Sequence, residues 1–215
     1  MLFLHNQKIV FLCITKTASS SIEGTLRPHA GIAFTAAPNL KHMPYRRFLQ
    51  QIAPMIKRGH GLERSRYEVV CVMREPVSWV QSWYKYRSRD ALKAAKGPRR
   101  MKYSGGVSFS EFVRAYCADN PPQYAQIGNQ MQMVVAPNGR VGVDRIFPFE
   151  NLPSFAKYLS QALGTEVELP SLNVSPTQDL ALEAEAERLL RAKLADAIAF
   201  HARLRPDGVV PAGPQ

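Results

Sequence analysis

The sequence of 215 residues has few cysteines and no long hydrophobic run. Its three cysteines, Cys13, Cys71 and Cys117, are odd in number and lack paired spacing, which argues against a disulfide framework and a zinc site. No segment approaches the roughly 18 consecutive apolar residues of a membrane-spanning helix. The first residues also lack the basic head and cleavage site of a secretory signal. These absences predict a soluble, cytoplasmic protein without a metal site.

Acidic residues are scarce as well. There are 17 Asp and Glu against 28 Lys and Arg, which gives a formal net charge of +11. Such an excess favours anionic partners, namely nucleotides, nucleic acids, sulfated sugars or acidic membrane surfaces, without choosing among them. The length suits one well-buried α/β domain. We predict a single domain over residues 1–205 and a disordered tail at 206–215.

Three apolar runs rich in β-branched residues, at 9–14, 67–73 and 143–149, predict buried strands. A helical pattern follows each of them, at 22–26, 77–87 and 152–163. This alternation predicts an α/β fold with a central, mainly parallel sheet flanked by helices. Further segments are predicted as helices at 45–56, 108–117, 124–135 and 180–204, and as loops at 57–61 and 88–106.

The loop after the first strand combines a cation with hydroxyl groups at the start of a helix: Lys16, Thr17, Ala18, Ser19, Ser20 and Ser21. A helix N-terminus offers unpaired N–H groups and a positive dipole end, so this loop is a candidate anion site. It follows a buried strand, where open parallel sheets bind their ligands. Ordinary helix capping explains the same residues. The Gly-rich Walker A pattern is absent.

A second loop of this kind follows the second strand. Arg74 ends that strand, and Ser82 comes eight residues later, about two helical turns away. A guanidinium matches the geometry of a phosphate. The alternative to an anion site is purely structural: Arg74 forms an ion pair with Glu75, and Ser82 is solvated. Together the two loops suit a ligand with two separated anionic groups.

These loops resemble motifs of the sulfotransferase family. Residues 15–21, Thr-Lys-Thr-Ala-Ser-Ser-Ser, are similar to its 5′-phosphosulfate loop, and Arg74-Glu75-Pro76 with Ser82 is similar to its 3′-phosphate motif. Residues 149–152 and 172–175 resemble two weaker downstream motifs. The resemblance runs from residue 9 to about residue 176. It is closest to the branch of carbohydrate 2-O-sulfotransferases and their bacterial relatives, although Thr15 stands where the family often has Pro.

The resemblance implies a P-loop-like three-layer sandwich and an enzyme that uses 3′-phosphoadenosine 5′-phosphosulfate (PAPS) without a metal. The acceptor would be a hydroxyl of a carbohydrate or small metabolite. Lys16 would neutralise the bridging oxygen as the product 3′-phosphoadenosine 5′-phosphate (PAP) leaves. The implied cofactor-binding residues are Lys16, Thr17, Ala18, Ser19, Ser20, Ser21, Arg74, Ser82, Asn173 and Ser175.

Sulfuryl transfer needs a general base for the acceptor proton, and histidine suits this role because its pKa is near neutrality. His42 lies between the two loops in sequence and is the first candidate; His60, between two glycines, is the second. The basic segment 87–102 either guides an anionic ligand or is a solvated charge run.

Three other functions compete with the sulfotransferase. A P-loop nucleotide kinase would share the fold, a nucleic-acid-binding module would explain the charge, and an inactive relative would only bind the cofactor.

Overall fold

The computed structural model describes residues 1–169 and 180–210, and every structural statement below refers to them. Asn173 and Ser175 therefore lie outside the described residues. The strands are β1 (Leu2–Leu4), β2 (Ile9–Leu12), β3 (Ile32–Ala33), β4 (Glu68–Met73) and β5 (Arg145–Pro148). The α-helices are α1 (Ser19–Leu26), α2 (Pro38–Lys41), α3 (Tyr45–Arg47), α4 (Ala53–His60), α5 (Pro76–Arg87), α6 (Asp90–Lys93), α7 (Phe109–Cys117), α8 (Met131–Val134), α9 (Leu152–Leu163), α10 (Ala184–Lys193) and α11 (Ala195–His201).

The strands form one mixed sheet in the order β3-β1-β2-β4-β5. β2, β4 and β5 run parallel, whereas β1 pairs antiparallel with both β2 and β3. The predicted α/β fold, with helices beside a sheet, is confirmed. The sheet is mixed, because the apolar start of the chain folds back on β2 as an antiparallel hairpin, while β2, β4 and β5 form its parallel part. Lys8, with a φ of 55°, lies in the turn of this hairpin.

The described residues cluster into two compact units where the sequence predicts one domain. The first comprises residues 1–74, 129–169 and 201–210 and contains the whole sheet. The second comprises residues 75–128 and 180–200 and is helical. Each unit has its own buried apolar cluster.

In the first unit, one face of the sheet packs against α1 and α9. Phe11 of β2 and Phe147 of β5 contact Phe155 of α9, with ring centroids 5.7 and 5.0 Å apart, and Ile22 of α1 joins the same cluster. All four side chains are buried, and each contributes about 1.5–3 kcal/mol by leaving water. This packing fixes the direction in which α1 leaves the sheet.

The far edge of the sheet is covered by the chain near residue 208. Ile146 donates its N–H to the carbonyl of Gly208 at 2.8 Å, and Val209 pairs with Arg145. Gly208 has a φ of 72° and lies against the Phe147 ring. Residues 206–210, in the segment predicted as a tail, thus extend the ladder of β5.

In the second unit, α5, α7 and α10 share an apolar cluster built around Trp79, Phe112 and Leu190. Ser108 begins α7 with a capping box: its hydroxyl accepts the N–H of Glu111, and the Glu111 carboxylate accepts the N–H of Ser108. The sequence pattern of Ser followed three residues later by Glu predicts this start.

Five predicted segments differ from the structure. The helix expected at 45–56 continues to His60, through a π-helical segment at Phe48–Ile52, so the loop at 57–61 is wrong for all but its last residue. Pro54 has no N–H to donate, and the wider turn before it accommodates that missing bond. Residues 124–135 contain only α8 and a 3₁₀ turn. The loop at 88–106 contains two helical segments, Asp90–Lys93 and Gly97–Lys102. The helix at 180–204 begins at Ala184 and is interrupted at Leu194.

Candidate functional site

The Lys16–Ser21 loop and Arg74 follow neighbouring strands at the same end of the sheet. β2 and β4 are parallel, with Leu12 opposite Cys71, so the segments that leave them start side by side about 4.8 Å apart. Both belong to the first unit. The predicted convergence of Lys16 and Arg74 at one sheet edge is therefore consistent with the strand register.

The loop reaches α1 through left-handed backbone. Lys16 has a φ of 64° and Ala18 a φ of 54°, although neither is glycine. Such conformations cost about 1–2 kcal/mol per non-glycine residue and concentrate at functional sites. Left-handed turns of this kind also direct successive N–H groups into anion-binding concavities. Ala18 caps α1 without a side-chain bond, and the first turn of α1 has no acidic residue.

The hydroxyl groups of this loop divide into inward and outward ones. Thr17 is fully buried and donates to the carbonyl of Ile14 at 3.0 Å, so its proton stabilises the loop itself. Ser19 and Ser21 are buried, whereas Ser20 is exposed. Of the predicted hydroxyl ligands, Ser20 is the most accessible.

Lys41 adds a second cation to the loop, and sequence reasoning missed it. Its ammonium donates to the Ser20 hydroxyl at 3.2 Å and lies 2.5 Å from a carboxylate oxygen of Glu23 on α1. Both charged side chains are largely shielded from solvent, with exposed fractions of 14% and 13%. The ion pair holds the Lys41 ammonium at the start of α1. The only sequence feature that could have indicated Lys41 is its position beside the candidate base, His42.

His42 is attached to the end of β2. Its Nδ1 lies 2.7 Å from the carbonyl oxygen of Cys13. A carbonyl only accepts, so Nδ1 carries the proton and the neutral ring leaves Nε2 as the acceptor. The next carbonyl, that of Ile14, holds Thr17. Two consecutive carbonyls thus fix the candidate base and the anion loop.

The environment of His42 favours its neutral form. Burial lowers the pKa of the imidazole, the hydrogen bond to Cys13 opposes this, and the positive charge of Lys41 lowers the pKa further. A histidine that is neutral near pH 7 can accept a proton, which is the state that a general base requires.

His60 lies at the other end of β2. Its ring is 4.5 Å from the ring of His5, in the turn that precedes β2, and 5.5 Å from that of Phe3. The Lys16 loop follows the opposite end of this strand. The geometry therefore favours His42 over His60 as the base.

Arg74 is held by a buried glutamine. The side-chain amide of Gln130 accepts the N–H of Arg74 at 3.1 Å and donates to its carbonyl at 2.8 Å. Gln130 is only 2% exposed, so both bonds are shielded from water. The guanidinium carbon lies 4.6 Å from the centre of the Phe149 ring. Gln130 lies far from Arg74 in sequence, which is why no local pattern indicates this contact.

Ser82 belongs to α5 in the second unit. Within that unit the N-terminus of α5 is already capped. The Glu75 carboxylate accepts the N–H groups of Val77 and Ser78 at 3.0 and 2.7 Å. The N-cap carboxylate of Glu75 therefore already accepts two of the N–H groups at the start of α5, where a bound anion would need them.

A cavity of about 1330 Å³ opens at the amino ends of the parallel strands, away from the Lys16 loop. Ile9, Glu68 and Arg145, which begin β2, β4 and β5, line it. Its central charges are paired, since Glu68 binds Arg145 at 3.1 Å and accepts from the Tyr158 hydroxyl at 2.6 Å. We place the candidate site at the loop end because the base and the anion donors lie there.

Metal and membrane features were sought in the same residues. Within 1–169 and 180–210, no group of three or more His, Cys, Asp or Glu side chains is arranged to hold a metal ion. No helix in these ranges is long and apolar enough to cross a membrane.

Comparisons with protein-family models, with curated proteins and with solved structures found no match to the chain. The functional interpretation therefore depends on the residues and geometry of the candidate site.

Proposed function

We propose that the chain is a PAPS-dependent sulfotransferase acting on a hydroxyl of a carbohydrate or small metabolite. One observation carries the proposal. His42 donates its Nδ1–H to the carbonyl of Cys13, just after β2, which leaves Nε2 as the acceptor, and the next carbonyl, that of Ile14, binds Thr17 of the candidate anion loop. A base and an anion site at the end of one strand are what transfer of a charged group to a hydroxyl requires.

In the proposed reaction, the acceptor oxygen attacks the sulfur of the sulfuryl group. A new O–S bond forms, the S–O bond to the 5′-phosphate breaks, and the acceptor proton passes to Nε2 of His42. Lys16 and the donors of residues 17–21 stabilise the charge that develops on the leaving phosphate. The Lys41 ammonium adds positive charge at the Ser20 side of the loop.

The remaining parts of the proposal come from the sequence resemblance. Arg74 and Ser82 would bind the 3′-phosphate, Asn173 and Ser175 would complete the cofactor site, and the fold would be a P-loop-like three-layer sandwich in a cytoplasmic enzyme. The Gln130 clamp and the Phe149 ring support the part given to Arg74, because they restrict where its guanidinium can point.

Binding of PAP, the product, tests the cofactor site. Calorimetry with PAP in the absence of metal should give micromolar binding. Lys16→Ala or Arg74→Ala should each weaken it by about 10- to 100-fold, the loss expected for a charged hydrogen bond. Lys157→Ala, which removes an exposed lysine of α9, is the matched control and should bind normally. Failure of the intact protein to bind PAP would sink the proposal; tight binding of ATP with Mg²⁺ instead would favour the kinase.

Activity of a His42 variant tests the base. His42→Ala should lower the rate of sulfuryl transfer by about 10²- to 10⁴-fold and leave PAP affinity unchanged. His60→Ala is the control and should retain activity. Full activity of His42→Ala would reject His42 as the base.

A further inference from the structure

Arg87, the last residue of α5, is a buried arginine without an acidic partner. It is 5% exposed, and among the described residues no carboxylate lies within ion-pair distance of its guanidinium. One terminal nitrogen donates to the carbonyl of Gln126 at 3.3 Å, and the guanidinium carbon lies 5.1 Å from the centre of the Trp83 ring. No residue that the structure describes accepts the buried Nε–H.

Ser104 presents a second unused donor beside it. This serine is 2% exposed, and its buried hydroxyl has no hydrogen-bond partner within residues 1–169 and 180–210. The main-chain N–H of Ser104 donates to the carbonyl of Arg87 at 3.1 Å, which holds the two residues next to each other. Both belong to the second unit. Two buried polar groups without a partner among the described residues thus belong to residues that a main-chain hydrogen bond joins.

We expect neither the Arg87 guanidinium nor the Ser104 hydroxyl to stay buried without a hydrogen-bond partner. A guanidinium stays charged under all ordinary conditions, and burying an unpaired charge is unfavourable unless a counter-charge and hydrogen bonds compensate it. The single bond to Gln126 and the Trp83 ring offset only part of this cost. Burial also lowers the pKa of Arg87, as expected for a guanidinium removed from water.

The surroundings supply positive potential. Between residues 85 and 102 the chain has eight lysines or arginines and a single acid, Asp90, so this segment carries most of the net charge of +11. A cluster of one sign raises the local concentration of the opposite charge. An anion is therefore both attracted to this segment and required by its buried arginine.

We propose that Arg87 and Ser104 form a binding site for an oxyanion, a sulfate, phosphate or carboxylate group. One anion oxygen accepts from Nε–H of Arg87, and another accepts from the hydroxyl of Ser104. A halide suits the site less well, because two directional donors match an ion with several oxygens. The existence of this site does not rest on sulfotransferase activity.

Nuclear magnetic resonance of the arginine side chains tests the site directly. Titration of the full chain with sodium sulfate, at constant ionic strength maintained with chloride, should shift the Nε–Hε signal of Arg87 saturably. Its assignment comes from the loss of that signal in Arg87→Met. Phosphate and acetate in parallel titrations establish which oxyanion binds most tightly. An Arg87 signal that does not move with any of the three anions would overturn the proposal, whatever the variants do.

Thermal unfolding of matched variants separates a site from diffuse attraction. Sulfate should raise the Tm of the unmodified chain more than that of Arg87→Met, in which only the general salt effect remains. Ser104→Ala should weaken sulfate binding by about tenfold, the loss of one hydrogen bond to a charged group. Arg89→Met removes a neighbouring exposed arginine and should change affinity less than twofold. Equal losses for Arg87→Met and Arg89→Met would overturn the proposal.

Discussion

His42 and Lys41 are consecutive residues whose side chains make different contacts near the end of β2. The imidazole is fixed by a carbonyl of β2, and the ammonium is fixed by Glu23 and reaches Ser20. The charge of Lys41 and the burial of His42 both disfavour an imidazolium. The protonation state of His42 is therefore set by its neighbour as well as by the solvent it has lost.

This coupling predicts a pH dependence. The pKa of His42 is expected below its ordinary value of 6.5, so sulfuryl transfer should stay constant from pH 8 down past 6.5 and fall only as the ring is protonated at lower pH. Since the folded pKa lies below the unfolded one, the contribution of His42 to stability is present above pH 6.5 and lost on acidification. The chemical shift of the His42 Cε1 proton against pH measures the pKa without reference to activity.

Lys41→Met provides the matched change. It removes a positive charge and leaves the Glu23 carboxylate unpaired, and both effects should raise the pKa of His42. Lys57→Met, which breaks an exposed pair with Glu63, should leave it unchanged. A His42 pKa that is equal in the two variants would contradict the coupling.

Substitutions at Ala18 should change the free energy of unfolding. Its φ of 54° is unfavourable for alanine and natural for glycine, so Ala18→Gly should be neutral or stabilising by up to about 1 kcal/mol. Ala18→Val should cost about 1–3 kcal/mol, because a β-branched residue is strained in this region. Urea unfolding of both variants measures the difference. A Gly variant less stable than the Val variant would show that the left-handed turn is not formed.

Among the elements, the end of β4 depends on a residue from a different part of the chain. There the side chain of Gln130 makes the hydrogen bonds that a neighbouring strand would otherwise make: it bonds both the N–H and the carbonyl of Arg74. Gln130→Ala should therefore reduce the free energy of unfolding by about 1–3 kcal/mol, since it leaves buried main-chain groups unpaired. It should also weaken PAP binding through the displaced Arg74.

Gln126→Ala is the control for this change. Gln126 is exposed, and its side chain makes one bond, to the carbonyl of Pro121 at 2.9 Å. In urea unfolding, the midpoint should fall clearly for Gln130→Ala. For Gln126→Ala the free energy of unfolding should change by less than about 0.5 kcal/mol. Equal midpoints for the two variants would mean that the Gln130 clamp does not stabilise β4.

The elements also explain which parts of the fold the sequence could predict. β2 and β4 are continuous apolar runs followed by polar loops, and such patterns are determined locally. β1 and β3 have only three and two residues, too few for a periodic signal, and they form because the hairpin buries them. The helix predicted at 45–56 extends to His60 through a π-helical segment at Phe48–Ile52, which no sequence pattern indicates.

For the molecule as a whole, the candidate site was predictable where it lies in one stretch of sequence and not where it joins distant ones. The Lys16–Ser21 loop and His42 were found from their residue types and order. Lys41, Gln130 and the Phe149 ring were not, because each acts through a contact between segments remote in sequence. The two compact units also escaped prediction, since each combines separate stretches of the chain.

The position of Gly208 governs how the sheet ends. A Cβ atom at this residue would lie 2.7–2.9 Å from the Phe147 ring, and its φ is 72°. Gly208→Ala should therefore displace residues 208–209 from β5 and cost about 1–3 kcal/mol. Gly139→Ala, with a φ of 80° and open space around it, isolates the cost of the backbone conformation alone.

Displacement would have a consequence beyond stability. A strand with unpaired N–H and carbonyl groups is a template for another chain, and natural sheets protect their outer strands from it. With residues 208–209 removed, β5 would become such a template, so Gly208→Ala should give concentration-dependent light scattering that Gly139→Ala does not. We therefore expect the packing of Gly208 on the Phe147 ring to protect β5 from pairing with a second copy of the chain.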